Sequence, residues 1–202
     1  MKKIIALLFI AILIFTGCSN NNQVIETTVI ETTDSVVNES ELVVLFTNDI
    51  HAVYQRDDDQ GQLGFAALAS YADSLMDSGK QVVLIDGGDA IQGEAVATLS
   101  KGSYIVDMMN ETGYLMSVPG NHEFDFGMDV FLELANKHAE YSYVSCNFLN
   151  LKTGETVFPP YILKDFGGSL VAFVGVSTPE TYTKSTPTYF QNYDGNYIYG
   201  FC

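Results

Sequence analysis

From residue 41 onward, short apolar runs alternate with longer stretches in which apolar residues recur at helical spacing. The apolar runs have the length and β-branched content of buried strands, at residues 42–46, 81–86, 115–118 and 143–147. The helical patterns lie between them, at residues 64–77, 104–111 and 128–138. Strands that alternate with helices predict an α/β domain with a mostly parallel sheet flanked by helices. Two further runs, 159–165 and 170–176, are separated by Gly167-Gly168 and predict an added β-hairpin.

The first 17 residues have the pattern of a secretory signal. Met1-Lys2-Lys3 precedes a 12-residue apolar run, 4–15, which is too short to cross a bilayer core that needs about 20 residues. The next residues, Thr16-Gly17-Cys18-Ser19, resemble a bacterial lipoprotein box, which is cleaved before the cysteine and carries lipid on its thiol. We therefore expect a lipid-anchored, extracytoplasmic protein of the cell envelope. The alternative is an ordinary cleaved signal peptide with an incidental cysteine.

Residues 18–40 have the composition of a tether. A pentapeptide occurs twice, at 24–28 and 29–33, and residues 19–40 contain no Lys or Arg. This pattern predicts a disordered linker, although its Val, Ile and Thr content is also typical of an edge strand. The folded domain is expected to extend from Glu41 to residue 202.

The net charge of the chain limits the kinds of molecule that the protein can bind. The chain has 25 acidic and 9 basic residues, which give a net charge of −16 at pH 7. Such a surface repels nucleic acid and anionic lipid. It also repels a phosphate ester unless cations occupy the site, so a site that handles phosphate is expected to use metal ions. Cys146 is predicted to be a buried, inert thiol, and no structural disulfide is expected.

Polar residues with metal-binding side chains follow three of the predicted strands. Asp49 and His51 follow the first strand, Asp89 the second, and Asn121 the third. Open α/β sheets bind ligands at such strand ends. Nitrogen and oxygen ligands without thiolate suit Mn, Zn, Fe or Co. Each residue also has an ordinary explanation, as a turn residue, a loop cap or a surface histidine.

Two residues of the third turn are candidates for catalysis. His122 lies next to the predicted ligands, where an imidazole can protonate a leaving alkoxide or stabilise charge on phosphoryl oxygens. Asp125, three residues further on, is placed to orient that imidazole.

The three blocks Asp-x-His, Gly-Gly-Asp and Gly-Asn-His-Glu-Phe-Asp, in this order, resemble the calcineurin-like metallophosphoesterases and, more narrowly, the 5′-nucleotidase family. The resemblance implies two divalent metal ions, one held by Asp49, His51 and Asp89, and the other by Asp89 and Asn121. It supports His122 and Asp125 as a catalytic pair. It also implies release of phosphate from extracellular nucleotides by a metal-activated water, without a phosphoenzyme.

The chain departs from this family in two respects. The family supplies further histidine ligands and a separate C-terminal domain that binds the nucleoside, and neither is recognisable here. The remaining histidine after Asp125, His138, is placed at a helix end without a catalytic role. We therefore expect the chain to be the front part of a longer protein and poorly active alone. The alternatives are a 2′,3′-cyclic nucleotide or nucleotide-sugar hydrolase, and an inactive surface lipoprotein that uses the fold for binding.

Overall fold

The computed structural model describes residues 41–202, so the predicted signal segment, Cys18 and the tether lie outside the described residues. A four-stranded parallel sheet with strand order β1-β2-β3-β4 lies at its centre. The strands are β1 (Leu42–Thr47), β2 (Gln81–Asp86), β3 (Tyr114–Ser117) and β4 (Ser142–Tyr143). The helices between them are α1 (Phe65–Asp77), α2 (Ala95–Ser100), α3 (Ser103–Thr112) and α4 (Met128–Glu133). Parallel strands require such crossovers, and the predicted fold class is confirmed.

Glycines in the left-handed conformation end two of the helices close to where the sequence predicts. Gly79, with φ of 88°, follows α1, and Gly113, with φ of 82°, follows α3. Helix α2 was not predicted, because its six residues bury only Ala97 and show no apolar period. The predicted helix 128–138 is α-helical only as far as Glu133. It continues as a π-helical turn, Leu134–His138.

The predicted strand 143–147 is wrong beyond its first residue. After β4, successive backbone N–H groups bond to different segments rather than to one neighbouring strand. Val144 donates to Ser117, Ser145 to Pro159, and Cys146 to Gly175. A regular strand therefore ends at Tyr143, and the next begins only at Phe148.

Two small antiparallel sheets complete the fold. Strand β5 (Phe148–Asn150) pairs with β8 (Tyr199–Phe201), and β6 (Tyr161–Phe166) pairs with β7 (Ser169–Val174). The β6–β7 pair is the predicted hairpin, and its two-residue turn has positive φ at Gly167 and Gly168, as tight hairpin turns require. Between β7 and β8 lie α5 (Thr181–Lys184) and a 3₁₀ turn (Pro187–Phe190).

The main core is aromatic and includes a residue of the third ligand turn. Phe124 is fully buried, and its ring lies 4.9–6.3 Å, between centroids, from four other phenylalanine rings. Those rings belong to Phe131, Phe148, Phe190 and Phe201. Edge and tilted contacts of this kind add to the hydrophobic stabilisation of a core. The core therefore fixes the turn that contains His122 and Asp125.

The side chain of Cys146 is more exposed than predicted. Cys146 and Cys202 are both free. Cys146 is half-buried rather than buried, because it lies between inward-facing Ser145 and Asn147 in the irregular segment after β4. Among residues 41–202, none of the helices has both the length and the apolar character needed to cross a membrane.

Candidate metal centre

The candidate site begins where the strands of the parallel sheet end. Thr47, Asp86 and Ser117 are the last residues of β1, β2 and β3, and they lie side by side in the register of the sheet. The loops that follow therefore start from one edge, as expected for ligand sites of open α/β sheets.

The loops after β1 and β2 remain paired beyond the sheet. Backbone N–H groups of Asp49, His51 and Ala52 donate to the carbonyls of Gly88, Asp89 and Ala90, at 2.9–3.0 Å. This pairing holds the backbone in a left-handed conformation, with φ of 49–60° at Asp49, His51, Ala52 and Asp89. Non-glycine residues seldom adopt this conformation, and clusters of such residues are typical of functional sites.

Two glycines allow the second and third loops to approach closely. A Cβ added at Gly88, where φ is 110°, would lie 2.7 Å from the backbone nitrogen of Gly120. A Cβ at Gly120 would overlap the Asp89 carboxylate. Glycine is therefore required at both positions for the loops to bring Asp89 next to the third turn.

Three of the predicted site residues converge. Ligand atoms of His51, Asp89 and His122 all lie within 4.8 Å of one another, and each residue is half-buried. The two imidazole rings meet edge to face, with centroids 4.9 Å apart. The Asp89 Oδ1 atom also accepts the backbone N–H of His122 at 2.8 Å. The loops after β1, β2 and β3 each contribute one member of this cluster.

The other two predicted ligands lie beside the cluster. Asp49 is outside the group of three, but its Oδ1 atom is 3.6 Å from Nε2 of His51. Its other carboxylate oxygen contacts the side-chain amide of Asn48. Asn121 is half-buried and immediately precedes the 3₁₀ turn that begins at His122. The assignment of Asp49, His51, Asp89 and Asn121 as metal ligands stays a prediction.

The predicted His122–Asp125 pair is present. Nδ1 of His122 lies 2.6 Å from Oδ2 of Asp125, within the short 3₁₀ segment His122–Phe124 and the residue after it. About a third of the His122 side chain and a quarter of the Asp125 side chain are exposed. A hydrogen bond to Nδ1 fixes the orientation of the ring and leaves Nε2 for other partners. His122 also belongs to the three-residue cluster, so its ring lies within reach of a metal ion held by His51 and Asp89.

Two buried carboxylates support the loops, and neither was singled out from the sequence. Glu123 is fully buried and accepts backbone N–H groups from both the second and the third loop. Burial, with added repulsion from Asp86, raises the pKa of Glu123 to about 7. The sequence around Glu123 indicates only a turn, so no local signal identifies this role.

Asp86 is the last residue of β2 and lies between Thr47 and Ser117 at the ends of the neighbouring strands. Its Oδ1 accepts the Thr47 hydroxyl at 2.8 Å, and its Oδ2 accepts the Ser117 hydroxyl and the Gly88 N–H, each at 2.9 Å. Burial raises the pKa of Asp86 to about 6, although these hydrogen bonds act in the opposite direction. An acidic residue that ends the apolar run Val82–Ile85 is the signal in the sequence.

The donor set of the cluster fits a divalent cation. It combines two imidazole nitrogens with a carboxylate, it contains no thiolate, and its atoms surround one point closely enough to bind one ion. Such mixed nitrogen and oxygen sites suit borderline cations such as Mn, Zn, Fe or Co. The half-buried position leaves the point accessible from solvent.

Comparison with known proteins defines the class. The family model of the calcineurin-like phosphoesterases matches residues 42–194. This chain belongs to the calcineurin-like phosphoesterase family, and its curated relatives include 5′-nucleotidases. It is 34% identical over 159 residues to the snake venom 5′-nucleotidase of Gloydius brevicauda, covering 73% of this chain and 27% of that protein. It is 31% identical over 157 residues to the 5′-nucleotidase of Vibrio parahaemolyticus, covering 76% of this chain and 28% of that protein.

A solved structure shows the same fold. The 5′-nucleotidase precursor of Thermus thermophilus superposes with a TM-score of 0.63 at 24% identity, over 79% of this chain and 31% of that one. This chain spans little more than a quarter of the length of the two curated relatives. The family membership is therefore established for residues 42–194, and the activity of the whole protein is a proposal.

Proposed function

We propose that this protein is a metal-dependent phosphoester hydrolase that releases phosphate from nucleotides, as its 5′-nucleotidase relatives are named for doing. We further propose that it acts outside the cytoplasm and is held at a membrane by lipid on Cys18. One observation carries the catalytic proposal. His51, Asp89 and His122 converge from three strand ends, and Asp125 lies behind His122.

The chain offers ligands for two divalent cations. Asp49, His51 and Asp89 would hold one, and Asp89 and Asn121 would contribute to the other. When bound, such cations supply Lewis acidity toward the phosphoryl group and toward a water nucleophile. Asp89 would contribute to both cations, because its carboxylate lies near His51 and also accepts the backbone N–H of His122 in the third loop.

His122 would act on the substrate. With Nδ1 directed to Asp125, the remaining ring nitrogen can hold a proton for the oxygen of the leaving group. Asp125 limits rotation of the ring, so the proton is presented in one direction. The net charge of −16 makes the cation requirement stronger, because an anionic ester would otherwise be repelled.

The test is phosphate release from AMP by the purified protein with added Mn²⁺, alongside 2′,3′-cyclic AMP and a nucleotide sugar. The His122→Ala variant is expected to lower turnover by about 100- to 10,000-fold, the usual contribution of a general acid. His138→Ala is the matched control, since His138 is exposed at the end of the π-helical turn and the substitution removes the same ring.

Two outcomes would contradict the proposal. Equal turnover in the His122→Ala and His138→Ala variants would remove His122 from the chemistry. Tight Mn²⁺ and nucleotide binding without hydrolysis of any of the three esters would favour the binding-module alternative.

A further inference from the structure

Glu123 is an acidic residue in the middle of the third ligand turn, yet it faces the interior. Its side chain is fully buried. None of the ion pairs among residues 41–202 involves it. A buried carboxylate without a basic partner needs several hydrogen bonds to offset the loss of hydration. Glu123 obtains these bonds from the backbone.

Both carboxylate oxygens accept N–H groups whose positions are fixed by the chain. Oε2 accepts the N–H of Gly120 at 2.7 Å and of Asp89 at 2.9 Å. Oε1 accepts the N–H of Ala90 at 2.8 Å and, more weakly, of Ile91 at 3.4 Å. Backbone N–H groups cannot reverse their role as donors, so this arrangement accepts only a side chain with two acceptor oxygens.

These bonds connect two loops that carry different candidate ligands. Gly120 immediately precedes Asn121 and His122, whereas the donors at 89–91 belong to the loop after β2. A second bond joins the same loops in the opposite direction, from the His122 N–H to the Asp89 carboxylate. Glu123 therefore holds the backbone of Asp89, while the side chain of Asp89 holds the backbone of His122.

We propose that Glu123 is a positioning residue that fixes Asp89 relative to Asn121 and His122, and thereby sets the geometry of the metal centre. This inference rests on the metal site of the proposed function, but not on turnover. Partners that orient metal ligands typically change metal affinity by about 10- to 100-fold when they are removed.

The main variant is Glu123→Gln in the full-length protein. The amide has nearly the shape of the carboxylate, but its NH₂ group must face either the Gly120 and Asp89 N–H groups or the Ala90 and Ile91 N–H groups. Two donors then oppose each other, and the loops must separate. We expect weaker Co²⁺ and Mn²⁺ binding, by about 10- to 100-fold, and an altered visible absorption spectrum of bound Co²⁺.

Two control variants distinguish a loss of loop positioning from the amide substitution itself and from a general loss of stability. Glu133→Gln makes the same chemical change on the exposed face of α4 and is expected to leave the Co²⁺ spectrum unchanged. Phe173→Ala removes a core ring from the hairpin and lowers stability, and Phe173 belongs to a different hydrophobic cluster from Phe124. Its Co²⁺ spectrum is expected to match that of the wild type at temperatures where both are folded.

Glu123→Asp is the second variant if Glu123→Gln does not fold. It keeps the charge and both acceptor oxygens but withdraws them by one methylene, so it is expected to fold and to shift the Co²⁺ spectrum. Wild-type affinity and spectrum in a folded variant would overturn the proposal. Failure of both variants to fold would also overturn it, because the role would then lie in folding. If the wild type binds Co²⁺ but releases no phosphate, the proposed function fails and the positioning role is still decided by the spectrum.

Discussion

Ionisation of Asp86 should make a large contribution to the change of protein stability with pH. Replacing Asp86 by Asn keeps the shape of the side chain and removes its charge. The amide oxygen can still accept the Ser117 hydroxyl and the Gly88 N–H, and the amide nitrogen can donate to the Thr47 hydroxyl. Thr47 and Tyr114, whose hydroxyls are 3.0 Å apart, both line an open cavity of about 530 Å³. In the variant, one hydroxyl proton of the Thr47–Tyr114 pair lacks a protein acceptor, and water in this cavity can accept it. We therefore expect the variant to fold.

The magnitude follows from the pKa of Asp86, which burial raises from its usual 3.8 to about 6. The folded state therefore binds this proton more tightly than the unfolded state, and ionisation lowers the free energy of unfolding as the pH rises. The full loss is about 3 kcal/mol, of which roughly 1.5 kcal/mol falls between pH 5 and pH 8. The variant lacks this loss. Removal of the Asp86 charge also weakens the repulsion that raises the pKa of Glu123, which adds in the same direction.

Urea unfolding of both proteins with EDTA, at intervals from pH 5 to pH 8, measures this effect. The stability of Asp86→Asn minus that of the wild type should increase by about 1.5 kcal/mol or more over this range. Asp73→Asn, on the exposed face of α1, is the control and should give a constant difference. A constant difference for Asp86→Asn as well would refute the argument, because Asp86 would then be ionised equally easily in both states.

Three further predictions concern the site and the anchor. Asp89→Asn should lower bound Mn²⁺ more than His51→Ala does, because a bridging carboxylate serves two ions. Metal analysis after gel filtration measures bound Mn²⁺, and the reverse order would exclude a bridging role for Asp89. Gly88→Ala should lower Mn²⁺ affinity and stability together, since its Cβ would meet the backbone of Gly120, whereas Gly154→Ala, open around its Cα, should lower stability alone. Cys18→Ser should move the protein from the membrane to the soluble fraction, and identical partition of both forms would contradict lipidation.

The sheet and the ligand turns were predictable because their signals are local. An apolar run followed by a polar turn identifies a strand end, and parallel strands bring their ends to one edge. Asp49, His51, Asp89 and Asn121 were placed at strand ends in this way, and their role as metal ligands stays a prediction. The hairpin followed from two apolar runs around Gly167-Gly168, and the helix ends from Gly79 and Gly113. The family resemblance added the roles, which local pattern alone does not assign.

The parts that were missed depend on distant residues. Glu123 takes its role from N–H groups 32–34 positions earlier in the chain, and its own neighbourhood indicates only a turn. The segment after β4 looks like a strand because it is apolar, but its N–H groups bond to three separate segments. Helix α2 has only six residues and buries only Ala97, so its sequence is too short to show a helical apolar period. For Glu123 and the segment after β4, tertiary contacts decide the structure.

The site carries a conformational cost, because its backbone is left-handed at four non-glycine residues, Asp49, His51, Ala52 and Asp89. Each such residue costs on the order of 1–3 kcal/mol, and the backbone hydrogen bonds between the two loops offset this cost. Because these hydrogen bonds join groups of the protein itself, the cost is offset by folding of the two loops. The apparent metal affinity then depends on the fraction of molecules in which these loops are formed. On gentle heating, a fall in metal affinity should report the local opening of these loops before the sheet itself unfolds.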